Sequence, residues 1–435
     1  PEPGEPRRRD PSRARADLPS LRPALRAPAA RGPREGRGRA TCARRLATAI
    51  AAAALAPIVL AGCSARPGII STDGTPAWPE TVETGDADAL VGNLSDSIEA
   101  GLRSPHVLGD SDGDGRGDYT ILALSGGGAY GAFGAGILIG WSQTGTRPDF
   151  DVVTGVSTGA LAGALVFAGA GHDADLERFY TTVAKDDVFR LEPLGALLSA
   201  SVADNAPLRA RVRETVDRPF LDRVAREHRK GRRFLVATTD LDRERLVVWD
   251  MGAIAASGHP EREERFETVL LASAAVPVLF PPVFVPTRDG GHAMHVDGGV
   301  IAPVLLRQEM FDAARRIGGP STAIAVHIVV NDTLADGADK PPVDPGVLSI
   351  GRNAVAALAR ANLSKTIYNL YVKSRRAGAS FRLASIPADL SLEASALDFE
   401  PGEMATLFEL GRERLLDGTL WLDEPPRLED VERVD

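Results

Sequence analysis

Cysteine is nearly absent from this chain, since only Cys42 and Cys63 occur among its 435 residues. A fold held together by a framework of disulfides is therefore excluded. After residue 45, acidic residues outnumber basic ones. Residues 1–45 hold 13 Arg against 5 Asp and Glu, a balance of +8, and the whole chain carries -9, which leaves -17 for the remainder. Outside the basic segment, nothing indicates nucleic-acid binding.

Methionine is also rare, and the first one in the chain is Met251. Residues 1–40 contain none and are rich in Arg, Pro and Ala. We expect this segment to be an over-extended start of translation, and it is left out of the fold prediction. The remaining chain, within a composition of 44% hydrophobic and 25% charged residues, is long enough for a large α/β domain with appendages.

Residues 41–62 have the layout of a secretory signal peptide, with Arg44 and Arg45 before an apolar stretch over residues 46–60. That stretch is too short to span a bilayer comfortably. The sequence Leu-Ala-Gly-Cys that ends at Cys63 resembles the lipobox of bacterial lipoproteins, which implies cleavage before Cys63 and lipid attachment to it. By the same resemblance, Ser64 implies export to the outer membrane of the cell envelope. The alternatives are a generic signal peptide or a membrane anchor with an incidental cysteine.

Residues 63–118 are rich in Gly, Pro, Asp, Ser and Thr, which predicts a lipidated flexible tether. Within it, the sequence DSDGDGRGD at 110–118 fits the first nine positions of a calcium-binding loop. The twelfth position, where a bidentate carboxylate belongs, is Ile121. A solvated acidic turn is therefore the favoured interpretation, with weak calcium binding as the alternative. No other metal or cofactor is predicted.

Residues 119–420 have the pattern of one α/β domain, followed by a tail at 421–435. A buried strand at 119–125, a helix at 129–142, a strand at 150–156 and a helix at 158–170 predict a parallel sheet with helices on its faces. Further helices are predicted at 173–184, 208–229, 261–273, 347–374 and 401–416, a hairpin at 232–251, and strands at 293–300, 323–330 and 380–386. The prolines of residues 276–286 predict no regular element there.

Ser157 lies at the centre of a Gly-x-Ser-x-Gly sequence, with Gly155 and Gly159 on either side. In this pattern the glycines allow a strained turn from strand to helix that presents the serine hydroxyl. The sequence follows a β-branched strand and precedes an Ala-rich helix, as the mechanism requires. Ser157 is therefore the candidate nucleophile, and the alternative is an ordinary serine that caps a helix.

The glycine cluster Gly126-Gly127-Gly128, with Gly131 three residues later, also follows a strand and precedes a helix. It fits the dinucleotide-binding fingerprint, which is the strongest rival interpretation. That function needs an acidic residue at the end of the second strand, but Asp149 and Asp151 flank the beginning of that strand instead. We therefore predict no nucleotide. As an anion site, the N–H groups of residues 126–128 suit the oxyanion of a tetrahedral intermediate.

A base for Ser157 is harder to identify. His327 lies within an apolar strand, where a core histidine is the simpler interpretation, whereas His292 and His295 are close to an Asp-Gly-Gly turn. In that turn, Asp297 ends a strand and is followed by Gly298 and Gly299, which let the chain turn sharply. An ordinary tight turn is the alternative for Asp297, and a Ser-His-Asp triad stays open.

Taken together, these sequences resemble the patatin-like phospholipases, which are serine lipid acyl hydrolases. The resemblance rests on the glycine loop, the elbow at 155–159, the segment ASAAVPVLFPP at 272–282 and the Asp-Gly-Gly turn, all in the family's order. It implies a three-layer α/β/α fold with a central, mostly parallel sheet. It also implies a Ser-Asp dyad of Ser157 and Asp297, with residues 126–128 as the oxyanion hole.

One position departs from the family pattern, because Tyr130 stands where the family usually has Arg or Lys. We expect a lipid-anchored carboxylic-ester hydrolase that acts on phospholipids or other lipid esters at a membrane surface. The alternatives are a non-catalytic, lipid-binding envelope lipoprotein and a Ser-His-Asp esterase. A free Asp has a pKa near about 3.9 and is a poor base, so the dyad requires that Asp297 be buried beside Ser157.

Overall fold

The computed structural model describes residues 69–72, 74–78, 81–84, 91–110, 113–191, 201–334, 342–390 and 395–426. The predicted over-extended start, the signal peptide and Cys63 lie outside the described residues, as does the tail beyond residue 426. The strands are β1 Thr81–Thr84, β2 Asp118–Leu124, β3 Val152–Gly155, β4 Arg190–Leu191, β5 Ala203–Asp204, β6 Arg233–Asp240, β7 Arg245–Asp250, β8 Val283–Pro286, β9 His292–Asp297, β10 Ala323–Thr333 and β11 Ser380–Ile386.

The α-helices comprise the predicted ones and several short additions. In chain order they are α1 Val91–Leu102, α2 Gly131–Gln143, α3 Thr158–Ala168, α4 Asp173–Thr181, α5 Ala206–Thr215, α6 Arg218–Arg229, α7 Met251–Ala256, α8 Arg262–Ser273, α9 Gln308–Gly318, α10 Val347–Arg376 and α11 Pro401–Leu416. Among the described residues, no helix is long and apolar enough to cross a membrane.

The central sheet contains nine strands, and its main path runs β1-β7-β6-β3-β2-β10-β11. The five strands β6, β3, β2, β10 and β11 pair in parallel, while β7 and β1 extend that sheet in the antiparallel sense. Strand β9 pairs antiparallel with the end of β6, and β8 pairs with β9. The predicted sheet, parallel at its centre, is confirmed.

Helices cover both faces of this sheet because successive strand residues point to opposite sides. In β2, Leu122 and Leu124 belong to one core, which also contains residues of α2, α3 and α11. Ile121 and Ala123 belong to the other core, together with residues of α1, α9 and α10. The three-layer α/β/α architecture follows from this division. Because the central strands are parallel, their carboxyl ends lie at the same edge of the sheet.

Three predictions about local structure are wrong. The described part of the expected tether packs against the domain, because β1 pairs with β7 and α1 buries Leu94 and Ile98 in the core. The helix expected at 208–229 is two helices, since Asp217 accepts a hydrogen bond from the N–H of Phe220 and thereby caps α6. The proline-rich segment contains β8, where an edge position tolerates Pro286 at the strand end.

Candidate active site

Ser157 occupies a sharp turn between β3 and α3. Its φ of 55° and ψ of -126° lie outside the conformations that a non-glycine residue favours, so the turn is strained. The chain can turn this tightly because Gly159 packs directly under β2, where an added Cβ would lie 2.5 Å from the carbonyl oxygen of Leu124. The side chain of Ser157 is almost buried, at 6% exposure. This geometry matches the predicted nucleophile elbow.

A second serine holds the elbow in place. The backbone N–H of Ser157 donates to the Oγ of Ser273 at 2.9 Å, and the Ser273 hydroxyl donates to the carbonyl oxygen of Ala237 at 2.8 Å. Ser273 is fully buried at the end of α8 and so links the elbow to β6. The sequence pattern included Ser273 in the segment 272–282 but assigned it no role, and only its contact with a residue 116 positions away reveals one.

The glycine loop lies next to the elbow, since a Cβ added at Gly126 would be 3.3 Å from the Cβ of Ser157. The N–H of Gly126 donates to the carbonyl oxygen of Pro303 at 3.3 Å. For Gly127 and Gly128, by contrast, no hydrogen bond from the N–H to another described residue is found. These two N–H groups are therefore the ones suited to bind an oxyanion, while Gly126 secures the loop.

Asn331 at the end of β10 fixes the conformation of this loop. Its side chain accepts from the N–H of Gly134 at 3.1 Å and donates to the carbonyl oxygen of Ser125 at 3.1 Å. Gly127, with φ of 150°, passes so close that a Cβ there would lie 2.2 Å from the Asn331 carbonyl oxygen. Asn331 is a second site residue that carries no motif of its own in the sequence.

Asp297 lies 140 positions after Ser157 and ends β9, where it pairs with Thr238 of β6. On the same strand β6, Val236 lies two residues before Thr238 and pairs with Gly155 of β3. This register brings the Asp297 carboxylate next to Ser157, whose hydroxyl lowers the pKa of the carboxylate. The Gly299 N–H donates to the carboxylate, at 2.7 Å. Burial raises the pKa of Asp297 to about 6, although the Ser157 hydroxyl and the Gly299 N–H oppose the shift. A carboxylate with this pKa is a far better base near neutrality than a free one.

The remaining motif glycines have local roles: Gly131 begins α2, Gly155 ends β3 and Gly298 follows Asp297 in a 3-10 turn.

The candidate histidines have other surroundings. In the described part of the chain, no histidine side chain forms a hydrogen bond with Ser157 or Asp297. His295 is buried beside Trp249, and its Nδ1 lies 2.9 Å from the Oγ1 of Thr238. His327 packs among aromatic rings that include Trp141 and Trp421. Burial lowers the pKa of His295 to about 3 and that of His327 to about 4.

Tyr130 is half-buried beside the glycine loop and lies among charged groups. Burial and, to a smaller extent, nearby carboxylates led by Glu403 and Asp332 raise the pKa of its hydroxyl to about 12, against the opposing effect of Arg360. A positive charge is thus present near Tyr130 although the residue itself is neutral. That charge comes from α10, and no sequence pattern connects this helix with the loop.

The cavity beside Ser157 is narrow and apolar. Its volume is about 40 Å³, and its lining includes Leu161, Phe179, Phe280, Phe399 and Met404. This volume is well below the roughly 300 Å³ at which ligand pockets usually begin, so the cavity encloses little of an acyl chain as it stands.

The acidic turn at 110–118 is organised by Asp110, whose carboxylate accepts from the N–H groups of Gly113, Asp114 and Gly115. In the described ranges, no group of three or more His, Cys, Asp or Glu side chains is arranged to hold a metal ion. Asp112 lies outside those ranges, so calcium binding in this turn stays an untested alternative.

Comparison with known proteins gives one family match. Residues 122–309 match the model of the family described as Patatin-like phospholipase. No curated protein matches the chain. Among solved structures, VipD from Legionella pneumophila is similar at 12% identity with a TM-score of 0.33, and the match covers 69% of this chain and 67% of that one.

A chain in the complex of full-length SpcU with full-length ExoU, from the type III secretion system of Pseudomonas aeruginosa, is similar at 15% identity with a TM-score of 0.29. This match covers 69% of the present chain and about half, 52%, of that chain. At these TM-scores, neither structure supports an inference about this chain.

Proposed function

We propose that this chain is a serine lipid acyl hydrolase with Ser157 as nucleophile and Asp297 as base, because residues 122–309 match the patatin-like phospholipase family. Its substrates are phospholipids or related lipid esters. The position of the buried Asp297 carboxylate next to the Ser157 hydroxyl, which lowers its pKa, is the observation that most directly supports these roles.

In the first half of the reaction, the Ser157 Oγ attacks the ester carbonyl carbon while its proton passes to Asp297. The N–H groups of Gly127 and Gly128 stabilise the resulting oxyanion. The intermediate then expels the alcohol, which takes the proton from Asp297, and an acyl-enzyme remains on Ser157. In the second half, Asp297 takes a proton from water, which attacks the acyl-enzyme. The new intermediate breaks its bond to the Ser157 Oγ, which takes the proton back from Asp297, and the fatty acid is released.

We expect Ser157→Ala to lower the rate of ester hydrolysis at least about 10⁴-fold while the protein stays folded, because it removes the attacking atom. The measurement is hydrolysis of a short-chain nitrophenyl ester and of phospholipid in mixed micelles, with circular dichroism as the check on folding. A fluorophosphonate probe should label the parent protein and not the variant. Ser257→Ala, which changes an exposed serine after α7, serves as the matched control.

An active Ser157→Ala variant would contradict the assignment of the nucleophile. A parent protein that neither hydrolyses esters nor reacts with the probe would favour the alternative of a non-catalytic lipid-binding lipoprotein.

We also propose that the chain is lipid-anchored at Cys63 in the outer membrane of a bacterial envelope, which is supported by the lipobox-like sequence before that residue. Expression in a bacterial host with radiolabelled palmitate should give a labelled protein, and Cys63→Ala should abolish the label. Cys42→Ala is the control, because that residue would be removed with the signal peptide. Label retained in Cys63→Ala would show that the anchor is elsewhere or absent.

A further inference from the structure

The amino-terminal half of α10 presents an apolar surface to solvent. Val347 is 86% exposed and Leu358 is 72% exposed, and Ile350 is exposed as well. With the exposed Ala354, these residues follow one another at spacings of three, four and four, so they form a single stripe along the helix. Contiguous exposed apolar surface of this kind marks an interaction site, whereas single exposed apolar residues are common.

The stripe is not the face by which α10 packs on the domain. That face carries Leu363, Ile367 and Leu370, which are buried in the core. The solvent-facing line continues instead through Lys365 and Val372, at successive intervals of seven residues from Leu358. The helix therefore has one inner apolar face for the fold and one outer apolar stripe that no described residue covers.

The charge of α10 is of one sign. Its 30 residues include no Asp or Glu and six basic residues, namely Arg352, Arg360, Lys365, Lys373, Arg375 and Arg376. Five of them, all except Arg360, form no ion pair with an acidic side chain of the described ranges. Since the chain as a whole carries -9, this concentration of positive charge is local. Two copies of such a helix would repel each other, and an anionic surface would attract it.

The same helix borders the candidate active site. The Asn362 side chain donates to the carbonyl oxygen of Ile301, four residues after Asp297, at 3.3 Å. Arg360 acts electrostatically on Tyr130 beside the glycine loop. Next to the outer stripe lies an apolar groove of about 810 Å³, whose lining includes Ala357, Arg360 and Lys365. Apolar walls with basic residues among them suit an acyl chain that bears an anionic head group.

We propose that α10 is the surface by which the domain docks on membranes that contain anionic lipids. The stripe of Val347, Ile350, Ala354 and Leu358 enters the interface between head groups and acyl chains. Lys365 and Arg376, which lie on the same side of the helix, contact lipid phosphates. This docking does not depend on catalysis. Its consequence for the reaction rests on the proposed function, because a bilayer at α10 lies next to Tyr130 and the loop after Asp297.

The test is co-sedimentation of the full chain with vesicles of phosphatidylcholine alone or mixed with phosphatidylglycerol. All proteins carry Cys63→Ala, so that no lipid anchor contributes, and the basic segment 1–45 contributes equally to every variant. We expect Leu358→Glu to weaken binding to the mixed vesicles about tenfold, since one buried leucine is lost and a negative charge is added. Leu416→Glu, which changes an exposed leucine of α11 on the opposite side of the sheet, should bind like the parent.

A second measurement does not rely on affinity. Leu358→Cys and Leu416→Cys, each combined with Cys42→Ser and Cys63→Ser, are labelled with an environment-sensitive fluorophore. Emission from position 358 should shift to the blue when mixed vesicles are added, and emission from position 416 should stay unchanged.

Equal binding of Leu358→Glu and its parent, or no emission shift at position 358, would overturn the proposal. Equally tight binding to vesicles of phosphatidylcholine alone would overturn the choice of anionic lipid. A dimer in sedimentation analysis that Leu358→Glu dissociates would show that a second copy covers the stripe. Ser157→Ala should bind vesicles as the parent does, so a failure of the hydrolase assignment and a failure of docking are distinguishable.

Discussion

The middle and the end of β9 contain two buried titratable side chains with different surroundings. His295 and Asp297 lie two residues apart and are buried, at 0% and 6% exposure. Burial lowers the pKa of His295 and raises that of Asp297, so it favours the neutral form of both side chains. His295 contacts Thr238, which also accepts a hydrogen bond from the indole of Trp249. Asp297 instead lies next to the strained Ser157, whose hydroxyl lowers its pKa. Burial alone therefore does not make a reactive group, and the partner decides what the buried group does.

Replacing Asp297, at the end of β9, should have the largest effect on catalysis. We expect Asp297→Asn to lower kcat about 10⁴-fold, because the amide cannot take the proton of Ser157, as measured with a short-chain ester. In the parent protein, kcat/KM should fall about tenfold per pH unit below pH 6, because the ionised form of Asp297 is the base. A pH profile that stays flat down to pH 5 would contradict this role.

The same variant should be more stable than its parent. The folded pKa of Asp297, about 6, is above the unfolded value of 3.8, so its contribution to stability is complete below pH 3.8 and is lost as the pH rises through 6. At pH 8 the buried carboxylate therefore costs up to about 3 kcal/mol relative to a neutral group. Urea unfolding should show a higher free energy of unfolding for Asp297→Asn at pH 8 and a smaller difference near pH 4.

Ser273→Ala should have an intermediate effect, because Ser273 acts on the reaction only through the position of Ser157. We expect kcat to fall about 10²-fold with KM little changed, since a displaced nucleophile lowers the rate without altering substrate binding. The unpaired N–H of Ser157 should also lower the free energy of unfolding by about 1–3 kcal/mol.

The matched control for Ser273 is Ser374→Ala, since Ser374 is also fully buried but its hydroxyl has no hydrogen-bond partner in the described part of the chain. It should leave kcat unchanged. An equal loss of kcat in both variants would mean that Ser273 has only a packing role.

The smallest effect on catalysis is expected at His295, in the middle of β9. His295→Gln keeps a polar group near Thr238, and we expect kcat to change less than about threefold while the free energy of unfolding falls by about 1–2 kcal/mol. Short-ester kinetics and urea unfolding measure the two quantities. A loss of kcat comparable to that of Asp297→Asn would instead favour a Ser-His-Asp triad and would make the two positions of β9 functionally alike.

Local sequence determined a large part of this protein. The elements from β2 to α3 and the elbow at Ser157 follow from β-branched runs and from glycines within a few positions of one another. They could therefore be predicted from the sequence alone. The glycine loop and the Asp-Gly-Gly turn at Asp297 were identified for the same reason. Family resemblance then paired these motifs, and residues 122–309 match the model of that family.

Only the tertiary structure decided which residues meet. The register of β9 on β6 brings Asp297 to Ser157, and the end of α8 places Ser273 under the elbow, although neither contact is visible as a local pattern. The packing of β1 and α1 on the domain, where composition predicted a tether, has the same origin, because burial against distant strands outweighs local composition. The exposed stripe of α10 was hidden for a related reason: an apolar residue in a sequence does not say whether the fold covers it.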